Sequence, residues 1–388
     1  MSHAFPFRGL RVLDLGQGVA SPYCAMLLAL YGADVTKVEP PEGDWSRGLG
    51  QKLADGAHTP MSLTYNRGKR ALRLDLKRPE ARAILRALAL KADVLVEGFR
   101  PGVAARLGVG YDSLAAENPG LIYLSISGFG QEGPNAQRPV TDTAAQAFSG
   151  FMDTNRGPDG IPHRSGALAA DVPTGLYAYA AVATALFARQ QTGTGRHIDV
   201  SLMAGSAALL GHKLPEFEFD GRNPGQLNVP AGSFEAADGW LAIALVREDD
   251  WRRTSAALER PDWLADPRFA SFVLRLEHQA ALMAQMRPHI RTRTREEWIA
   301  RLRDADVICD VVNTLGDWVA NPHVQAIGAA VPSGVAGFHV ARTPGAPRES
   351  DTALAPAPAA GQHAREILAE AGHSAAEIDR LIAERIVL

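Results

Sequence analysis

The feature that most constrains this chain is the alternation, through its first half, of short aliphatic runs with stretches of helical periodicity. Leu10 to Leu15 (LRVLDL), Asp34 to Glu39 (DVTKVE), Ala71 to Leu76, Asp93 to Glu97 (DVLVE) and Leu121 to Ser125 (LIYLS) each read as a buried strand. After the first strand, Ser21-Pro22 supplies an N-cap and a first-turn proline for a helix to about Tyr31, with Gly32 placed to end it. Pro79 opens another helix, in which Ile84, Leu85, Leu88 and Ala89 recur with helical spacing. Strands that alternate with helices pair in parallel, because the helix is the crossover. The pattern therefore predicts an α/β fold with a parallel sheet covered on both faces.

At 388 residues the chain exceeds one ordinary core, and the usual ~150 residues per domain predicts two or three. A long alanine-rich helix runs from Asp171 to about Gln190. The turn Thr192 to Gly195, a strand over Arg196 to Val200 and a helix from Ser201 follow. Near residue 220 the character changes. Phe219 to Gly232 (FDGRNPGQLNVPAG) reads as a linker. A strand over Trp240 to Val246 and helical patterns near 249–258, 275–289 and 294–303 come next. Arg342 to Pro358 reads as a loose connector to helices near 363–371 and 374–385. The expected division is a large domain over 1–220 completed by 325–388, and a linker plus a small α+β domain over 221–324.

Composition narrows the function. A net charge of -3 argues against a nucleic-acid partner. The most apolar stretch, Thr174 to Ala188, is shorter than the ~20 residues of a membrane span, so it reads as a buried helix. The N-terminal MSHAFPFRGLRVLDL has no run like the apolar core of a signal peptide. The two cysteines, Cys24 and Cys309, offer neither a disulfide framework nor a zinc spacing. A cytoplasmic protein with no membrane partner is expected.

Candidate chemistry gathers at a few motifs. Gly16-Gln17-Gly18-Val19-Ala20-Ser21 lies between a strand and a helix, with Glu39 closing the next strand. It approaches the dinucleotide fingerprint, but Ser21 replaces the third glycine and Pro22 removes an N–H. It is either a plain tight turn or a nicotinamide site, and an NAD-dependent dehydrogenase stays open as an alternative. Asp171-Val172-Pro173-Thr174 opens the apolar helix. Asp171 there is either an N-cap or a nucleophile, kept ionised by the helix N-terminus, that attacks an activated acyl group. Of eleven histidines none has metal-like spacing, and His163, His197 and His212 read as surface or core residues; no metal site is expected. No G-x-S-x-G elbow or phosphate loop occurs. Arg67, Lys69, Arg70, Lys77, Arg100 and Arg106 lie near strand ends, where ligands of open α/β sheets bind, and would suit a phosphorylated cofactor.

Taken in order, these stretches resemble the class III coenzyme A transferases, the family of formyl-CoA transferase and the carnitine CoA-transferases. The resemblance runs from Leu10 to about Pro267, and more loosely beyond. It is carried by VLDLGQGVASPYCAMLLALYGADVTKVEPPEGD, YNRGKRALRLDLKRPEAR, ADVLVEGFRPGVAARLGVGYD, NPGLIYLSISGFGQEGP, SGALAADVPTGLYAYAAVATALFARQQTGTGRHIDVSL and PAGSFEAADGWLAIAL. It implies a Rossmann-like large domain, a smaller domain and an interlocked homodimer. It implies no permanently bound cofactor; coenzyme A enters as acyl-CoA substrate, with small carboxylic acids as the other partner. Asp171 matches the family's nucleophile. The CoA contacts fall on Gln17, Val19, Ala20, Leu74, Lys77, Gly98, Phe99, Arg100 and Arg106, and Thr141 and Asp142 on the acyl pocket. Gln17, Ser21 and Gly98 depart from the residues usual in the family. The α-methylacyl-CoA racemases share the stretch Pro139-Val140-Thr141-Asp142, but use a histidine where Thr141 stands, and threonine cannot serve as a base. A non-catalytic acyl-CoA binder is the third class of alternative.

Overall fold

The computed structural model describes residues 4–157, 159–221 and 228–388. The chain forms two compact units, Met1–Gly221 with Gly328–Leu388, and Arg222–Ile327. The first is built on six parallel strands: β1 (Arg11–Asp14), β2 (Asp34–Glu39), β3 (Lys69–Arg73), β4 (Val94–Glu97), β5 (Ile122–Ser127) and β6 (Arg196–Ser201). Their order is β3-β2-β1-β4-β5-β6. The chain steps outward from β1 to β3, then returns to the other side of β1 with β4. The loops after β1 and β4 therefore leave in opposite directions and open a crevice at the carboxyl ends of the strands, where such sheets bind ligands.

The helices before β6 are α1 (Ala20–Leu30), α2 (Pro60–Tyr65), α3 (Pro79–Leu90), α4 (Val103–Arg106), α5 (Tyr111–Ala115), α6 (Asp142–Phe148), α7 (Phe151–Thr154) and α8 (Asp171–Thr192). Successive strand residues point to opposite faces, so each run feeds two cores. Val12, Val94, Val96 and Leu124 pack under α1 and α8. Leu13, Leu95 and Tyr123 pack under α3 and the helices Ala364–Ala371 and Ala375–Ala383. Burial on both faces is why β4 and β5 each open on a continuous apolar run, Val94–Val96 and Ile122–Leu124. Each such side chain contributes roughly 1.5–3 kcal/mol.

Alpha1 and α8 approach closely at Gly175, where a Cβ would lie 2.8 Å from the Ala20 carbonyl oxygen and 3.0 Å from the Tyr23 ring. A side chain there would push the start of α8 away from the loop after β1.

The smaller unit has an antiparallel sheet of β7 (Gly232–Ala236), β8 (Gly239–Ala244) and β9 (Ile308–Val311). Helices Glu248–Ala257, Gln279–Ile290 and Arg295–Asp304 cover it, around Trp251, Trp263, Phe269 and Trp298. The pair β10 (Ala330–Pro332) and β11 (His339–Ala341) belongs to the large unit.

Several local expectations change. Beta3 begins and ends earlier than Ala71 to Leu76, because Leu74 leaves the ladder to bridge Val387. Alpha1 is capped by Val19, with Ser21-Pro22 inside its first turn. Residues 342–358 are not a loose connector: they carry helix Arg348–Ala353 and bury Ala346, Ser350, Asp351 and Ala357. Alpha8 is not buried all round, since Leu176, Tyr177 and Phe187 are exposed. The expected linker falls largely on 222–227, outside the described residues. Among the described residues no helix is long and apolar enough to cross a membrane.

Candidate active site

The crevice after β1, β4 and β5 holds a cavity of about 310 Å³. Nine of the residues singled out in the sequence line it together: Gln17, Val19, Ala20, Gly98, Phe99, Arg100, Thr141, Asp142 and Asp171. Leu74, Lys77 and Arg106 lie outside its lining. Leu74 is fully buried, with its N–H donated to the Glu39 carbonyl at 3.0 Å, whereas Lys77 and Arg106 are exposed. Trp45 and Arg138 also line the cavity and were not anticipated. The available signal was modest: Trp45 follows the turn residues Gly43-Asp44, and Arg138 lies just before the Pro139–Asp142 stretch.

The loop after β1 is fixed by a buried ionic cluster. The Gly16 N–H donates to Asp14 Oδ1 at 2.9 Å, and the Gly18 N–H to Asp44 Oδ1 at 3.0 Å. Lys37 Nζ reaches the Gly16 carbonyl at 2.7 Å and Asp44 Oδ2 at 2.9 Å. Lys69 Nζ holds Asp14 Oδ2, the Pro22 carbonyl and Asn66 Oδ1. Burial works against the charge of Lys37, but Asp14, Asp44 and Glu39 outweigh it and hold the ammonium above its ordinary range. For Lys69 burial prevails and brings the ammonium down to about 8, against the pull of Asp14. Gly18 has φ +79°, and a Cβ on it would lie 2.1 Å from the Trp45 ring, so the indole seats against bare backbone.

This cluster weighs against the nicotinamide reading. The glycine N–H groups that would face a pyrophosphate are already donated to carboxylates. Glu39, the ribose partner in that reading, is buried and bound by Arg47 Nε at 2.9 Å. The proposed phosphate cations at the start of β3 are also spent inside the chain. Lys69 is in the cluster, Arg67 lies 3.8 Å from Asp351, and Arg70 pairs with Asp34, Glu366 and Glu370. Of the three only Arg70, toward the amino end of the sheet, lines a larger cavity of about 530 Å³, together with its acid partners Asp34 and Glu370.

Asp171 does not cap its helix. It is the first helical residue of α8, Ala170 is the N-cap, and the cap acceptor comes from elsewhere in the chain. Asp142 Oδ2 accepts the N–H groups of Ala170 at 2.8 Å and Asp171 at 3.1 Å. Its Oδ1 accepts Gln146 Nε2, and Gln146 Oε1 takes the Ser165 N–H at 2.9 Å. The amides expected to hold Asp171 ionised are thus satisfied by a second carboxylate. Burial, and then the Asp142 charge, push the Asp171 carboxyl up to about 7, the opposite of the lowering anticipated from the helix dipole. A carboxylate so placed is basic for its type and free to react on its cavity side.

The β4 loop has its own anchor. Glu97 Oε2 accepts the Phe99 N–H at 2.8 Å, and burial raises Glu97 to about 6. Nearby, His197 Nε2 lies 3.0 Å from Ser125 Oγ in a separate cavity of about 170 Å³.

The geometry is thus that of an α/β enzyme with a buried aspartate of raised basicity facing a cavity at the switch point of a doubly wound sheet. The sequence belongs to CoA-transferase family III, matching it over residues 7–364, and the chain is an enzyme of that class. It is 35% identical over 388 residues to succinate–glutarate CoA-transferase of Agrobacterium fabrum, covering 94% of this chain and 95% of the relative. Acetyl-CoA:oxalate CoA-transferase of Acetobacter aceti is 37% identical over 313 residues, covering 78% and 79%. The crystal structure of a CaiB/BaiF family protein from Brucella suis superposes with a TM-score of 0.84 at 33% identity, covering 95% of this chain and all of that one.

Proposed function

We propose that this enzyme moves coenzyme A from an acyl-CoA donor to a carboxylic acid acceptor, with Asp171 as the covalent nucleophile. The observation that carries the reading is the Asp171 carboxyl opening on the cavity bounded by the loops after β1, β4 and β5. An Asp171 oxygen attacks the thioester carbonyl, the C–S bond breaks, and CoA leaves as thiolate. The thiolate then attacks the aspartyl carbonyl of the mixed anhydride. This releases the donor acid as carboxylate and leaves an aspartyl-CoA thioester. The acceptor carboxylate attacks that thioester, and the thiolate leaves again. It returns to the acyl carbonyl of the second anhydride, giving the new acyl-CoA and free Asp171. Thioester and anhydride are similarly activated, so the protein's task is positioning and charge stabilisation. Asp142 positions Asp171 by fixing the amides at the start of α8.

Coenzyme A is far larger than this cavity. Its reactive end occupies it, against Gln17, Val19, Ala20, Gly98, Phe99 and Arg100, and its nucleotide extends outward, where Lys77 and Arg106 take the phosphates. The Leu74 side chain is buried, so a contact there is made by the neighbouring surface. Thr141 supports transfer over racemisation, since the cavity offers a hydroxyl where a racemase needs a base. The reading includes a cytoplasmic, interlocked homodimer. The exposed apolar groups of α8 and of helix Lys213–Asp220 (Leu214 and Phe217) support a second copy, and the unpaired cysteines suit a reducing compartment. The test is mass spectrometry after mixing with acyl-CoAs and trapping with hydroxylamine. A hydroxamate is expected on Asp171 and none in Asp171→Ala; label on another residue overturns the assignment.

A further inference from the structure

Resting on the CoA-transfer reading, we propose that Gln146 is a positioning residue for acylation: its locked side-chain amide makes Asp142 the standing anion of the Asp142–Asp171 pair, so the one exchangeable proton of the pair belongs to the nucleophile. Gln146 is fully buried, one helical turn after Asp142 in α6, a spacing that puts both side chains on one face. Its amide can sit only one way round. The Ser165 N–H can only donate, and it meets Gln146 Oε1 at 2.9 Å. Nε2 is therefore the atom left facing Asp142 Oδ1, to which it donates. Asp142 Oδ2 takes the N–H groups of Ala170 and Asp171. Three donors thus converge on Asp142, and none of these partners can accept a proton from it.

Asp171 is placed the opposite way. Among the described residues no donor reaches its carboxyl, and burial, then the Asp142 charge, raise it to about 7. Two neighbouring carboxyls titrate as a pair, and the donors around them decide which one carries the proton. The other groups nearby leave that choice unchanged. Helix Leu202–Ala208, packed on α6 and α8, carries no ionisable side chain. Asp153 on α7 is paired with Arg156 at the surface. The phenols of Tyr23 on α1 and Tyr65 on α2 are raised by burial, Tyr65 to about 12, and stay neutral. Arg100 and Arg138 are the cations of the cavity lining. Without the Gln146 donor the proton can pass to Asp142. Asp171 would then lie beside a neutral acid, ionised at lower pH but a weaker base and a weaker nucleophile.

The test is the pH profile of single-turnover CoA release from succinyl-CoA in wild type, Gln146→Met and Gln146→Glu. Methionine keeps the length but donates nothing, so the midpoint should fall from about 7 to about 6. The rate at pH 6 relative to pH 8 then rises about fivefold. Glutamate keeps the acceptor for Ser165, and either donates its own proton to Asp142 or adds a negative charge. Its midpoint should therefore stay at about 7 or rise. A merely structural role predicts an equal loss at every pH in both variants. That result, an unmoved midpoint in Gln146→Met, or a fall in both variants overturns the proposal. Wild-type protein gives a second check, free of folding defects. Aspartate labelled at the carboxyl carbon is followed by NMR, with signals assigned through Asp171→Asn and Asp142→Asn. The Asp171 carbon should shift through neutral pH while that of Asp142 moves little; equal amplitudes would mean a shared proton and overturn the proposal. Hydroxamate trapping keeps the two readings apart. Labelling of Asp171 with the wrong pH behaviour removes this inference alone, and absence of labelling removes both.

Discussion

Lowering the pH from 8 to 6 should slow acylation of Asp171 about tenfold. The nucleophile is the ionised carboxylate, and its midpoint is raised to about 7 by burial first and the Asp142 charge second. The ionised fraction then rises from about 0.1 at pH 6 to about 0.9 at pH 8. A carboxylate at its ordinary value of 3.8 would be fully ionised across that range, and the rate would be flat. The assay is single-turnover release of CoA thiol from succinyl-CoA, stopped by rapid quench between pH 5.5 and 8.5. In Asp142→Asn the like charge is gone, so the midpoint should move to lower pH while burial keeps it above 3.8. A flat wild-type profile, or an unmoved midpoint in Asp142→Asn, would refute the reasoning. Stability follows with a definite sign. The folded carboxyl holds its proton more tightly than the unfolded one, so its contribution is full below pH 3.8, is lost as pH rises towards 7, and is constant above. Asp171→Asn should therefore be the more stable protein at pH 8, by an amount that shrinks in acid.

Three further outcomes are expected. Lys37→Met leaves the buried Asp44 without its cation, while Asp14 keeps Lys69, and should cost ~3–5 kcal/mol in urea unfolding; a change within error would show the Lys37–Asp44 pair to be dispensable. Gly175→Ala places a methyl 2.8 Å from the Ala20 oxygen, and should cost ~1–3 kcal/mol and lower the hydroxamate yield at Asp171 by displacing the start of α8. Sedimentation at nanomolar concentration should find a dimer, since interlocked chains cannot part without unfolding; an active monomer would contradict this.

The sheet was legible because strands buried on both faces leave an unbroken apolar signature, as in DVLVE and LIYLS. Beta9 left none, since ICDV is an edge strand with half its side chains in water. Alpha6 is too short for a periodic pattern. At the site, motif order pointed to Asp171 and to eight of the residues that share its cavity. It could not reveal who satisfies the amides of Ala170 and Asp171, because Asp142 is distant in sequence and meets them only once α6 and α8 are folded. Burial first, and the Asp142 charge second, reversed the expected direction of the Asp171 titration. The cations Arg67, Lys69 and Arg70 misled for a related reason: sequence shows a charge but not the acid that neutralises it.

The large unit is interrupted by the smaller one, and this has a consequence for how the protein is made. By the time β4 leaves the ribosome, Leu13, Leu72 and Leu95 exist without the helix Ala364–Ala371 that later covers them. At ~5–20 residues per second that cover arrives roughly 13–50 s later. The inserted unit has its own tryptophan-rich core and is translated within the interval, so it can fold while one face of the large unit's sheet is covered only in part, by α3. Nascent chains stalled between residues 330 and 360 are therefore the natural clients of holding chaperones for this enzyme.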